Sequence, residues 1–272
     1  MIYPMIESIA DLGLIEDEAI ELDRAALRLA ALDHPDTDLA TYDAYLDRLA
    51  DEIAAASATA ETAARRASAL RTILSDKHDF RGDSATYDDS ANANLISVID
   101  RRRGLPVALA IIYVALARRL GWHAEVLNTP GHIVISLEDE TERVVMDPFN
   151  GGRQLTTQSL RTLIAQVTGG RSQLDPAGWS PLENRLVLVR LLNNQAMRAV
   201  QGGKIERAVT IYERLTMIGP SIPELWWERA QLEWQLGRNR EARSSLSALL
   251  EMTTDDEHRR HVNRMLEQIP HA

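Results

Sequence analysis

Two residues between Arg101 and Gly152 have the types and spacing for acid–base chemistry. His132 opens a short alternating apolar run and Asp147 closes another. On neighbouring strands, such an imidazole and carboxylate would form a general base held by its orienter. A base of this kind activates either a nucleophilic side chain or water. The chain contains no cysteine, so thiol catalysis, disulfides and cysteine-based metal sites are excluded. Other candidates are weaker. His258 and His261 are spaced to share a helix face but lack a clear third ligand, so no metal is expected. Lys77 and Lys204 sit in polar loop or turn contexts, which gives Schiff-base chemistry little support. No cofactor is implied.

The elements that must position the pair are legible from the hydrophobic period. Leu105–Leu120 is the most apolar stretch and reads as a buried helix, with Pro106 suited to its first turn and Gly121 to its end. Three alternating runs follow, His123–Asn128, His132–Leu137 and Arg143–Asp147, which predict a small antiparallel meander on that helix. Upstream, Glu16–Leu32, Tyr42–Ala56 and Ala60–Ser75 read as helices. Residues 76–94 are polar and rich in Asp, Ser and Asn, which predicts a long surface loop. Asn92 and Asn94 in this loop, together with Arg103, are candidates to line a cleft beside His132, although the asparagines could equally brace the loop. Arg101–Arg103 precede a helix N-terminus, where anions bind readily, yet pairing with the acidic N-terminal helices is the plainer reading. Thr157–Val167 is a further helix, and Gly169–Pro181 looks like a linker.

From residue 186 the period is helical again, and it repeats. Ala196, Gly203 and Ala208 recur 34 residues later as Ala230, Gly237 and Ala242, the period of tetratricopeptide hairpins. Small residues let paired helices approach, and glycine serves the turn between them. Asp255–Gln268 would cap the array. An array this short is expected to lean on the preceding domain. Trp226, Trp227 and Trp234 read as packing within the repeats. Arg198, Arg207, Arg214, Arg229, Arg238, Arg240 and Arg243, with Trp226 or Trp227 nearby, form the expected interaction surface.

Several motifs together resemble the bacterial SirB-type family, described as regulators of SirC expression with transglutaminase-like and tetratricopeptide domains. They are Phe80-Arg81-Gly82-Asp83, Tyr87-Asp88-Asp89, Asn92 and Asn94, Arg102-Arg103-Gly104-Leu105-Pro106, Pro130-Gly131-His132, and Asp147-Pro148-Phe149-Asn150-Gly151-Gly152. The order helix, histidine, aspartate is that of transglutaminase-like and papain-like enzymes, whose nucleophilic cysteine lies at the helix start. The resemblance puts His132 and Asp147 at the histidine and aspartate of the triad and Pro106 at the cysteine. Proline has no nucleophile, and no serine or threonine lies between Gly104 and Leu120 to replace it. The resemblance therefore implies a retained scaffold without acyl-transfer activity.

The fold expected is α+β: a transglutaminase-like domain over 1–170, with helices around a small antiparallel sheet and a buried helix, then an all-α tetratricopeptide-like domain over 184–270. The function expected is a non-catalytic, regulatory scaffold that binds a protein or peptide through its repeats. The alternative is a cysteine-independent hydrolase in which His132 and Asp147 activate water. The net charge is −10, and residues 1–64 hold fifteen Asp or Glu against three Arg, so nucleic acid is not an expected partner. Leu105–Leu120 is too short to span a bilayer, and Met1–Leu14 lacks a basic start followed by an apolar run. No membrane partner is expected, and the compartment expected is the cytoplasm.

Overall fold

A computed structural model describes residues 8–170 and 180–270. The chain divides into two compact units, Ile20–Leu188 and a second that joins Val189–Ala272 to the N-terminal residues up to Ala19. The described residues 8–19 therefore group with the repeats, whereas sequence order had run the first domain from residue 1. Most of the Gly169–Pro181 stretch, read as a linker, lies outside the described residues.

The larger unit is built around one helix. Helices α1 (Leu22–Ala31), α2 (Leu39–Ala56), α3 (Ala63–Arg71) and α4 (Leu95–Arg101) precede α5 (Pro106–Arg119). Every residue of α5 from Pro106 to Ala117 is buried, as an all-round apolar helix must be. Pro106 stands at its first position, where a missing N–H costs nothing. Gly121 closes the end in a left-handed conformation, φ +72°. Helices α1 and α2 pack on α5, as does the sheet.

Two short strands, β1 (Arg81–Gly82) and β2 (Arg103–Gly104), pair in parallel. The main sheet is the antiparallel meander β3 (His123–Thr129), β4 (His132–Glu138), β5 (Arg143–Asp147) and β6 (Arg153–Leu155), in that order. Leu127, Val134, Val145 and Leu155 of the sheet form a core with Leu160, Leu163 and Ile164 of α6 (Thr157–Thr168).

The structure differs from the sequence reading in several places. The segment Glu16–Leu32 is a 3-10 turn, Asp17–Ala19, followed by α1. Helix α3 ends early and runs into a π-helical turn, Thr72–Lys77. The 76–94 segment is no simple surface loop, because Phe80, Asp83 and Asn92 are buried. The Asp83 carboxylate organises it by accepting hydrogen bonds from Thr86 Oγ1 at 2.6 Å, Thr86 N at 2.8 Å and Ala85 N at 3.1 Å. These bonds, led by that of the Thr86 side chain, pull its pKa down to about 2. The acidic N-terminal helices are met by Arg119, which pairs with Asp23, Asp43 and Asp47.

In the second unit, α8 (Ile205–Ile218), α9 (Pro223–Gln235), α10 (Asn239–Met252) and α11 (Asp256–Gln268) follow α7 (Asn184–Gln201), which crosses the boundary between the units. The four echoed alanines, Ala196, Ala208, Ala230 and Ala242, are all fully buried. Gly203 and Gly237 share one left-handed turn conformation, φ +68° and +72°. The 3-10 turn Ile9–Gly13 packs on α8, and Gly13 lies so close to the Met217 carbonyl that a side chain there would collide with it. Among the described residues, no helix is long and apolar enough to cross a membrane.

Candidate functional site

His132 is the first residue of β4, directly after the two-residue turn that pairs it with Thr129. Thr129 is buried and its hydroxyl donates to the His132 carbonyl at 2.8 Å, which pins the start of the strand. Asp147 is the last residue of β5, the next strand. Adjacent strands and these end positions bring the two side chains together. His132 Nε2 donates to Asp147 Oδ1 at 3.1 Å. The imidazole is 7% exposed and the aspartate not at all.

The turn after β5 completes the carboxylate's shell. Asn150 Nδ2 donates to Asp147 Oδ2 at 2.6 Å, and the Asn150 backbone N–H donates to Oδ1 at 3.2 Å. Arg153 Nη2 stands 3.9 Å from Oδ2. Burial is the largest single influence on Asp147 and raises its pKa. The hydrogen bond and charge of His132, with the Asn150 donors, outweigh it and hold the group below the usual carboxylate range. The carboxylate thus stays ionised, and Nε2 is fixed as the nitrogen that bears a proton. That leaves Nδ1 as the nitrogen able to act as a base, and it has no hydrogen-bond partner among the described residues.

Two aromatic contacts close the surroundings. The Phe149 ring stands edge-on to His132 at 6.1 Å and to Tyr87 at 5.9 Å. Gly82 is packed so tightly on Phe149 that a side chain there would overlap the ring. Tyr113 lies seven residues after Pro106, hence on the same face of α5 two turns along. Its hydroxyl abuts Gly152 in the turn after Asp147, where an added Cβ would sit 2.7 Å away. That hydroxyl is buried with no hydrogen-bond partner among the described residues, and burial pushes its pKa up.

The other sequence candidates serve different purposes. Asn94 caps α4 by accepting from Ser97 N at 3.1 Å, and its amide donates to Ala30 O at 3.4 Å. Asn92 is fully buried, with its Nδ2 donating to Thr86 O at 2.7 Å and its own carbonyl accepting from Leu105 N at 2.8 Å. Its Oδ1 has no hydrogen-bond partner among the described residues. Arg103 turns to Asp79, Nη2 to Oδ2 at 2.7 Å. None of these three groups spends a hydrogen bond on His132. Nor do Arg101–Arg103 meet the N-terminal acids: Arg101 pairs with Asp83 and Asp89, and Arg102 lies over the Tyr45 and Phe80 rings. Asn150, Phe149, Tyr113 and Gly152 form the shell that sequence reasoning did not assign. The signal for it was the run Asp147–Gly152, whose paired glycines both adopt positive φ.

In the repeat unit part of the expected arginine surface is committed internally. Arg229 Nε pairs with buried Glu233 at 2.8 Å, and its Nη1 donates to Thr216. Arg243 donates to the carbonyls of Leu266 and Ile269 at the end of α11. Arg214 is buried, while Arg238 and Arg240 are exposed.

Against known proteins, residues 40–193 match the transglutaminase-like superfamily and residues 196–267 a tetratricopeptide repeat. A UPF0162 protein of Xylella fastidiosa (strain 9a5c) is 31% identical over 259 residues, covering 93% of this chain and 90% of its own. A UPF0162 protein of Vibrio cholerae is 28% identical, covering 64% of this chain and 65% of its own. The F-box only protein 21 of Mus musculus is 29% identical over 106 residues, 36% of this chain and 17% of its own. A solved structure of menin aligns over 96% of this chain and 74% of its own, at TM-score 0.40 and 12% identity.

Proposed function

The chain belongs to the transglutaminase-like superfamily and to the UPF0162 family, and from that premise we propose that it acts without catalysis, as a scaffold for a protein or peptide partner. The observation that carries this reading is the start of α5. Counting back fifteen residues from the helix-ending glycine, where the family resemblance puts the nucleophile, reaches Pro106, and no cysteine exists anywhere in the chain. A base without its nucleophile cannot form an acyl-enzyme. The His132–Asp147 pair then serves as a buried polar tie between β4 and β5. The repeats supply the binding role, since helical hairpin arrays offer extended concave surfaces. A regulatory role of the SirB type and a cytoplasmic location belong to the same reading and rest on the sequence.

The test is turnover. Purified protein should show no amidase, esterase or transglutaminase activity above that of His132→Ala, and iodoacetamide should change nothing. Pro106→Cys alone should not create activity, because oxyanion donors and a substrate groove must also be in place.

A second reading is favoured by one specific feature: Nε2 is held by Asp147 while Nδ1 has no partner among the described residues, the polarity a base needs. A cysteine-independent hydrolase would use that nitrogen on water. Turnover that survives purification and vanishes in His132→Ala would replace the scaffold reading with this one.

A further inference from the structure

We propose that the repeat unit docks a cationic peptide segment, anchored by a bulky apolar side chain, in the groove between α9, α10 and α11. This rests on the scaffold reading above and specifies its partner. A cavity of about 450 Å³ opens there, within the size range of ligand sites. Pro223, Trp227, Leu249 and Val262 form its apolar part. Leu249 and Val262 are buried members of the repeat core, and Trp227 packs on the same core. A second cavity, about 480 Å³, lies between α9 and α11. Trp227 and His261 line both, their rings tilted by 41° with centroids 4.8 Å apart, so they form a ridge between the two cavities. Trp234, on the second side, is 36% exposed. A segment lying across the ridge can bury apolar side chains on either flank.

Charge selects the occupant. Glu224, Glu228 and Asp255 rim the first cavity, all exposed, and no lysine or arginine lines it. Glu224 and Glu228 are four residues apart on one face of α9, an arrangement that repels in an isolated helix. Neither has an ion-pair partner among the described residues. Asp255 caps α11 and faces His258 at 3.3 Å, so the glutamates are the free anions. Of the α11 guanidiniums, Arg259 is folded onto the carbonyls of Leu250 and Thr253, Arg264 lines the second cavity beside His261, and Arg260 bears on Asp255. An acidic rim above an aromatic floor matches lysine or arginine flanking an apolar anchor, and the Trp227 ring face attracts the same cations. The exposed Arg238 and Arg240, at the start of α10, line neither cavity.

The experiment is selection from a random displayed-peptide library on the immobilised full chain, followed by anisotropy titration of the enriched peptides. Enriched sequences should carry net positive charge around Leu, Phe or Trp. Their affinity should fall roughly tenfold in Glu224→Gln/Glu228→Lys, and further as salt rises from about 50 to about 300 mM. Trp227 packs on the core, so Trp227→Ala endangers the fold. The glutamates are exposed, and their double variant should melt with the wild type, which makes it decisive. Enriched peptides that are acidic, or that bind the double variant equally well, would overturn this groove and leave the scaffold reading standing. Enrichment of no peptide at all would likewise overturn this groove, whereas the scaffold reading falls only on turnover that vanishes in His132→Ala.

Discussion

His132 and Asp147 differ in what each would lose without the other. Asp147 has no exposure, so its charge depends on the donors around it. Removing one partner of a buried pair costs about 3–5 kcal/mol. His132→Ala should fall at the lower end, because Asn150 still donates twice. Asp147→Asn keeps one acceptor but sets its amide N–H against a donor, His132 Nε2 or Asn150 Nδ2, and should cost about 1–3 kcal/mol, the penalty of an unsatisfied buried donor. Denaturant unfolding of both variants checks the order, and a larger loss in Asp147→Asn would contradict it. The same residues set the acid response. Asp147 and Asp83 both titrate lower when folded than when unfolded. Below its ordinary pKa the unfolded state binds more protons than the folded one, so stability rises with pH there and falls as pH falls. Their contribution is complete at neutral pH and is lost as pH drops through the carboxylate range toward about 2, the folded value of Asp83. Asp83→Asn should flatten that fall in urea titrations run from pH 5 to about 2. An unchanged slope would show that the Asp83 turn does not persist in solution.

At the scale of elements, glycine positions separate backbone strain from packing. Gly121 and Gly152 both adopt positive φ, +72° and +66°. Nothing lies within 4 Å of a Cβ added at Gly121, whereas one at Gly152 would meet the Tyr113 hydroxyl at 2.7 Å. Gly121→Ala should therefore cost only the left-handed penalty, about 1 kcal/mol. Gly152→Ala adds a collision inside the buried face of α5 and should cost about 1–3 kcal/mol more. Equal melting shifts for the two would mean that α5 yields at Tyr113. That the buried helix, the meander and the helical repeats were legible in the sequence follows from period: each buries a face whose spacing differs from its neighbours'. Helix α4, strand β6 and the β1–β2 pair were not legible. They are short, and long-range pairing and burial of Phe80, Asp83 and Asn92 define their region instead of any local pattern.

For the whole molecule, two cores within one chain make unfolding in separable steps the expected behaviour. Ala242 is fully buried in the core of α9, α10 and α11. Ala242→Phe should overpack it at a cost of about 1–3 kcal/mol. Calorimetry should show one transition moving and the other, the one sensitive to His132→Ala, staying in place. A joint shift would mean that the two units unfold as one. The described residues 8–19 belong to the unit carrying the repeats, where Gly13 lies on the Met217 carbonyl. That pairing spans most of the chain length, and no local rule predicts it.

What the sequence determined by itself was chemistry that composition can forbid and periods that neighbours can fix. The absent cysteine, the proline at the start of α5, the order of His132 and Asp147, and the 34-residue echo are all one-dimensional facts. The tertiary structure decided where polar groups find partners. Asn94 became a helix cap, Arg103 a partner of Asp79, and Arg229 a partner of Glu233. Asn150, in the turn after β5, became the third member of the buried pair. Side-chain pairing depends on distances of a few ångströms between residues far apart in the chain. Those distances exist only once the cores have formed, which is why Arg229 and Arg243, read from the sequence as surface cations, are committed to partners within the repeat unit.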